Sequence, residues 1–134
     1  FQRGKVNLRR GKVAELGPSI IVKLGGAVRG TVVYEFSEIL AIKIVETMNA
    51  INQSDLPRTK FDLLLEETIL EMGNLISGRA ITVLSMEKID VTISAPTLER
   101  ETEKEIIHED QKVLSLPLRS KHGDFIINLG IDGL

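Results

Sequence analysis

The longest helical pattern in this sequence lies between Phe61 and Met86, and it constrains the fold more than any other stretch. Its apolar residues recur every three or four positions, as in a helix that buries one face against another layer. The predicted core face consists of Phe61, Leu64, Leu65, Thr68, Met72, Leu75 and Ile76. The end of this helix stays open, because Gly78 could stop it or could be tolerated inside it at about 1 kcal/mol relative to alanine.

Burial does not explain a second side of the same helix. On a helical wheel, this side is shared by Glu67, Glu71, Asn74 and Gly78, together with Leu63 and Leu70. Glu71 and Asn74 are three residues apart, so their side chains project from neighbouring positions. A carboxylate and an amide placed in this way could hold a partner or could simply be solvated. The two leucines are unexpected on a fully solvated face, although they could also pack against another helix.

Strand patterns surround this helix. The run 19–24 is rich in β-branched residues and predicts a strand, which the glycine-rich residues 25–30 join to a second strand at 31–36 as a hairpin. Further strands are predicted at 91–94, 112–116 and 124–129, and a turn at 121–123 pairs the last two. Pro117 predicts an edge or a bulge, because proline cannot donate to a ladder. The charge-rich residues 99–109 are left unassigned.

The N-terminal region predicts two strand pieces, Lys5–Leu8 and Lys12–Leu16, separated by the turn residues Arg10-Gly11. A first helix is predicted from the N-cap Ser37 to about Asn49, with an apolar stripe at helical spacing. Hairpins therefore dominate around two helices. We expect an α+β fold in which an antiparallel sheet carries two long helices packed on one face, within a single domain covering residues 1–134.

Composition excludes several classes of function. The chain has no cysteine, so disulfides, thiol nucleophiles and Cys-based zinc sites are excluded. Only two histidines, His108 and His122, are available for a metal site or a Ser-His-Asp set. The net charge of −2 argues against a general nucleic-acid binder. The sequence shows neither a signal peptide nor a transmembrane run, so we expect a cytoplasmic protein without membrane or nucleic-acid partners.

The glycine-rich run at 25–30 is not a phosphate-binding loop. It lacks the GxGxxG spacing, no Lys-Ser/Thr follows it, and a strand follows where a helix N-terminus would be needed. The residues by themselves therefore predict an α+β domain with an unexplained pair, Glu71 and Asn74, on its central helix.

The segment around this pair resembles the CheC/CheX/FliY family of chemotaxis phosphatases. The family signature has Asp or Ser, then Glu four residues later, then Asn three further on, and a proline about twenty-two residues beyond. Glu71, Asn74 and Pro96 match the last three positions, whereas Glu67 stands where the family usually has Asp or Ser. Glu46-Thr47-Met48-Asn49 also has the Glu/Asn spacing, but it lacks the glycine and the spaced proline. The resemblance extends over roughly residues 19–131.

The resemblance implies hydrolysis of the aspartyl phosphate on a CheY-like response-regulator receiver. It implies that Asn74 orients the attacking water, that Glu71 anchors the receiver, and that partner contacts come from Glu67, Leu63, Leu70 and Gly78. No cofactor of the chain's own is expected, and magnesium is expected on the receiver. The resemblance further implies a CheX-like protein with one motif copy, a homodimer formed by joined sheets, and an N-terminal segment absent from this sequence. The alternative is a non-catalytic CheX-like module that docks a signalling partner or dimerises.

Overall fold

An antiparallel sheet and two helices form the fold in a computed structural model, which describes residues 2–10, 16–99 and 112–132. The helices are α1 Glu38–Asn49 and α2 Arg58–Met86, with a short 3-10 turn at Gln53–Asp55 between them. The strands are β1 Gln2–Arg3, β2 Asn7–Arg10, β3 Ser19–Gly26, β4 Gly30–Phe36, β5 Val91–Ile93, β6 Thr97–Glu99, β7 Lys112–Ser120 and β8 Gly123–Ile131. The predicted α+β class is confirmed.

The sheet has the strand order β1-β7-β8-β4-β3-β5, and all of its pairs are antiparallel. β2 also pairs with β7, and β6 also pairs with β3, so each flank of the sheet is made of two short strands. Both predicted hairpins, β3–β4 and β7–β8, are present. Ile20 pairs with Tyr34, and Tyr34 pairs with Ile127, which places these three side chains on one face of the sheet.

In the N-terminal region, β1 and β2 both pair with the distant strand β7. The strand expected at Lys5–Leu8 lies instead at Asn7–Arg10, and most of the one expected at Lys12–Leu16 falls outside the described residues. Three residues separate β1 from β2, whereas only two residues of β7 lie between their pairing partners, so one residue bulges out here. Gly4 lies in this gap and donates its N–H to the Pro117 carbonyl at 2.7 Å, so the irregularity predicted for Pro117 is found there.

Ser37 starts α1 as predicted. Its Oγ accepts a hydrogen bond from the Leu40 N–H at 3.3 Å, as an N-cap does, and a second from the Asp124 N–H of β8 at 3.0 Å. One hydroxyl therefore caps the helix and ties it to the β7–β8 hairpin. The helix ends at Ala50, which takes a left-handed conformation.

The core lies between the two helices and one face of the sheet. Its buried members are Ile20, Val22, Val32, Tyr34, Phe36, Leu40, Ala41, Val45, Phe61, Leu65, Ile69 and Phe125. Phe61, Leu65 and Thr68 of the predicted core face of α2 are buried. The prediction is wrong for Leu75, which is 52% exposed, and it did not include Ile69, which is buried. α2 runs without a break through Gly78 and ends at Met86, so this glycine is tolerated inside the helix and does not stop it. Neither described helix is long and apolar enough to cross a membrane.

Candidate functional site

Gly73 brings the middle of α2 into close contact with the sheet. It is buried, and a Cβ at this position would lie 2.7 Å from Cγ2 of Ile20 on β3. Real Cβ atoms do not approach other carbons so closely, so only glycine allows this helix–sheet spacing. The contact sets the depth at which the central turn of α2 sits on the sheet.

A buried hydrogen bond holds the next turn. The Ser77 hydroxyl lies 3.0 Å from the Tyr34 hydroxyl of β4, and both residues are almost fully buried. The Tyr34 ring also stacks on Phe125 with 6.0 Å between ring centroids. Burial raises the pKa of Tyr34 above its usual value of 10.0, and the hydrogen bond from Ser77 opposes this effect only in part. Tyr34 therefore remains a neutral phenol that can donate to or accept from Ser77.

These two attachments direct the opposite side of α2 into solvent. Because Gly73 and Ser77 face the sheet, the residues about half a turn away must face outward. The outward residues are Glu67, Glu71, Asn74 and Gly78, all exposed, with Leu63 at 61% exposure beside them. Leu70 differs from the others, since it is half-buried and packs against the core. The structure thus brings the sequence-predicted site residues together on one stripe, with Leu70 at its inner border.

Glu71 and Asn74 have no structural task of their own within the described part of the chain. None of the hydrogen bonds or ion pairs there involves the side chain of either residue. Residues three apart on a helix have Cβ atoms about 5–6 Å from each other. A carboxylate and a neutral amide are therefore presented side by side, both available to a partner.

The second Glu/Asn pair of the sequence, on α1, is used differently. The Asn49 amide donates to the Val45 carbonyl at 2.9 Å and to Thr68 Oγ1 of α2 at 3.1 Å. The Glu46 carboxylate accepts the Gln53 N–H at 2.9 Å and so holds the loop that leaves the helix. Both side chains are occupied in joining α1 to its surroundings, which separates this pair from the exposed one on α2.

Gly78 lies at the far end of the stripe, and no described residue requires a glycine there. A Cβ at this position would meet no described atom within 4 Å. The residue lies in the interior of α2, where Thr82 Oγ1 donates to its carbonyl at 2.9 Å. Glycine in a helix interior is unfavourable by about 1 kcal/mol relative to alanine. Packing against the described residues therefore accounts for the glycine at Gly73 but not for the one at Gly78.

Pro96 lies at the edge of the sheet, in the gap between β5 and β6. Ser94 fills this gap, because its N–H donates to the Lys23 carbonyl and its Oγ accepts the Lys23 N–H, both at 2.9 Å. The proline lacks an N–H, so it separates the two short strands that pair with β3. It does not lie on the stripe of α2.

The described residues hold no group of three or more Asp, Glu or His side chains that could bind a metal ion. The stripe on α2 offers hydrogen bonding and charge. An exposed amide can orient a water molecule or a polar ligand, and a carboxylate beside it can pair with a cation on a partner.

Three residues that position the site were missed from the sequence: Gly73, Ser77 and Tyr34. Gly73 and Ser77 are small residues four positions apart, a spacing that places both on one side of a helix and permits close packing. That spacing is a signal that could have been used. Nothing local identifies Tyr34, which is 43 residues from Ser77 in the chain.

Comparison with known families gives one match over most of the chain. Residues 18–119 match the family described as chemotaxis phosphatase CheX. The chain matches no curated protein sequence.

Solved structures of similar fold agree with this match. CheX of Borrelia burgdorferi, solved in a CheX–CheY–BeF3–Mg complex, has a TM-score of 0.79 and 22% identity, with 97% of this chain and 82% of that chain covered. CheX of Desulfovibrio desulfuricans has a TM-score of 0.81 and 20% identity, over 98% of this chain and 85% of that one. FliY of Thermotoga maritima is more distant, with a TM-score of 0.70 and 16% identity over 96% and 74% of the two chains.

Proposed function

Because this chain belongs to the CheX family of chemotaxis phosphatases, we propose that it hydrolyses the aspartyl phosphate of a CheY-like receiver domain, using the outward stripe of α2. The observation that carries the proposal is the contrast between the two Glu/Asn pairs. The side chains of Glu71 and Asn74 are exposed and make no intramolecular hydrogen bond in the described part of the chain. Glu46 and Asn49 are engaged within the fold.

Asn74 orients the attacking water. An acyl phosphate is already labile, so catalysis needs mainly a water placed in line with the bond from phosphorus to the aspartyl oxygen. The Asn74 amide oxygen accepts a hydrogen bond from this water and keeps an oxygen lone pair directed at phosphorus. Attack forms the new P–O bond and breaks the old one, which releases inorganic phosphate and restores the receiver's carboxylate. A neutral amide suits this position, because a carboxylate would repel the phosphoryl oxygens.

Glu71 anchors the receiver. It lies one turn from Asn74, at a distance suited to pairing with a lysine beside the receiver's phosphorylation site. Magnesium is expected on the receiver, where it neutralises charge on the phosphoryl oxygens. The surrounding contact surface comes from Leu63, Glu67 and Gly78, with Leu70 at its inner border.

The similar Borrelia protein supports a receiver as the partner, since it was solved together with CheY, BeF3 and magnesium. We also propose that residues 1–134 act as one phosphatase domain and that the chain forms a homodimer. Sedimentation velocity across a range of concentrations tests the dimer, and a monomer at every concentration would refute it.

The decisive experiment measures phosphate release from a phosphorylated receiver. Asn74→Ala is expected to lose most of the acceleration while still binding the receiver, because the residue acts on the water. The matched control is Asn49→Ala, which alters the other pair and is expected to keep the activity. Glu71→Gln is expected to raise KM more than it lowers kcat, since it weakens docking.

Two outcomes would contradict the enzymatic proposal. One is phosphate release no faster than the receiver's own dephosphorylation, and the other is equal activity in the wild type and Asn74→Ala. Receiver binding that persists without hydrolysis would instead identify a non-catalytic docking module, and Glu71→Gln would then weaken binding alone.

A further inference from the structure

A groove between α1 and the β7–β8 turn is lined by lysine and arginine side chains. Among the described residues, no acidic side chain lines it. It has a volume of about 840 Å³ and lies between α1 and the turn of the β7–β8 hairpin. Lys43 projects from the helix wall, and Arg119 and Lys121 come from the hairpin wall. In a chain with a net charge of −2, such a one-sided lining is a local feature and not a general property of the surface.

The cations of this groove are not used by the fold. Lys43, Arg119 and Lys121 are exposed, and within the described residues their side chains take part in no hydrogen bond or ion pair. No acidic partner lies inside the groove to neutralise them. Cations on two facing walls raise the local concentration of an anionic partner and favour its binding between them.

The floor of the groove is apolar. Leu40, Ile44 and Met48 follow each other at four-residue spacing along α1, and Met72 of α2 completes the floor. Met48 is 46% exposed although it is a large apolar side chain. The eight helical steps from Leu40 to Met48 correspond to a length of about 12 Å, which accommodates roughly two turns of a helical partner.

We propose that this groove binds an acidic peptide segment that also carries apolar side chains, in the helix-in-groove mode. Its acidic residues would pair with Lys43, Arg119 and Lys121, and its apolar ones would cover the methionines of the floor. A small inorganic anion would leave the apolar floor uncovered. A bilayer surface does not fill a concave groove, and no Phe, Tyr or Trp lines it to stack on nucleic-acid bases.

The groove is separate from the stripe of Glu71 and Asn74. Met72 lines the groove and packs against the core, whereas neither Glu71 nor Asn74 is among the lining residues. The proposal therefore does not depend on phosphatase activity, and Asn74→Ala is expected to leave peptide binding unchanged.

The test uses fluorescence anisotropy at low ionic strength with a labelled twelve-residue peptide of glutamates and leucines, with leucine at every third or fourth position. Replacing Lys43, Arg119 and Lys121 together by glutamine is expected to weaken binding about tenfold, because single exposed ion pairs contribute little and three act together. The matched control replaces three exposed cations outside the groove by glutamine, namely Arg29, Arg58 and Lys60. This control alters the net charge equally and is expected to change affinity less than about twofold.

The apolar floor is tested with two further probes and one variant. A peptide with serine in place of leucine, and one with lysine in place of glutamate, are both expected to bind more weakly than the first. Met48→Gln is expected to weaken the leucine peptide several-fold. Circular dichroism and thermal melting verify that each variant is folded.

Several results would overturn the proposal. Equal losses of peptide affinity in the two triple variants would show that the peptide responds to the total charge of the protein and not to the groove. Equal affinity for the serine and leucine peptides would show that the apolar floor does not contribute to binding. Failure of the leucine peptide to bind would also overturn it. So would retention of phosphatidylglycerol vesicles, or of a single-stranded oligonucleotide, through Lys43, Arg119 and Lys121 in preference to the peptide.

Discussion

Replacing Gly78 by alanine should make the fold more stable and the phosphatase less active. A Cβ at this position meets no described atom within 4 Å, so alanine is accommodated there without rearrangement. The gain in helix propensity is about 0.8–1 kcal/mol. An unfolding entropy of about 2.1 cal/mol/K per residue over 134 residues amounts to about 0.28 kcal/mol/K, so Tm should rise by about 3 °C.

Gly73→Ala is the matched substitution five residues earlier on the same helix. The added Cβ would lie 2.7 Å from Ile20 Cγ2, so the buried Ile20 side chain, the helix or the strand must shift. Overpacking of this kind costs about 1–3 kcal/mol, which exceeds the propensity gain. Tm should therefore fall in Gly73→Ala and rise in Gly78→Ala, although both exchange glycine for alanine inside α2.

The assays are thermal melting followed by circular dichroism and phosphate release from a phosphorylated receiver. If Gly78 lies in the receiver contact, its new methyl group should raise KM several-fold while Tm rises. A fall in Tm for Gly78→Ala would refute the claim that the position is open. A rise in Tm with unchanged KM would remove Gly78 from the proposed contact surface.

Three further predictions concern stability and the division of roles. Ser37→Ala should lower the free energy of unfolding by about 1–2 kcal/mol, because it removes the helix cap and the tie to β8; a loss below about 0.3 kcal/mol in urea titrations would contradict this. Tyr34 is the only tyrosine, and its raised pKa means that the folded state holds the proton longer than the unfolded one. Its contribution to stability should thus be complete below pH 10 and decline as the pH rises further; near-ultraviolet tyrosinate absorbance should appear at higher pH in folded than in urea-unfolded protein, and coincident curves would disprove it. Asn49→Ala should lose about 1 kcal/mol of stability with activity retained, and Asn74→Ala should show the reverse; matching profiles for the two variants would reject the distinction between the two pairs.

Local sequence signals predicted the elements whose causes are local. The cap at Ser37 and both main hairpins depend on residues close together in the chain, and they appear where the patterns placed them. The outward direction of Glu71 and Asn74 follows from helical periodicity alone, since the apolar face fixes which side of α2 is buried. Their chemical roles came from the resemblance and not from periodicity.

The errors concern contacts between distant parts of the chain. β1 and β2 pair with β7, more than a hundred residues away, so no neighbouring turn could indicate their partner. The helical wheel assigns Leu75 to the core because it treats α2 as packed against its neighbours along its whole length. α1 has 12 residues and α2 has 29, so the shorter helix cannot cover its neighbour throughout. The hydrogen bond between Ser77 and Tyr34 could not be predicted from local sequence either, because it joins a helix to a central strand 43 residues away.

The interrupted flanks of the sheet bear on how the protein behaves at high concentration. Within the described residues, β1 and β2 on one side and β5 and β6 on the other are two to four residues long. Long, regular edge strands act as templates for further chains and lead to fibres, whereas short and broken ones do not. A second chain that joins such an edge gains only a few backbone hydrogen bonds, so side chains must supply the remaining affinity. Assembly through these flanks should therefore stop at a defined partner and should not continue into open-ended polymers.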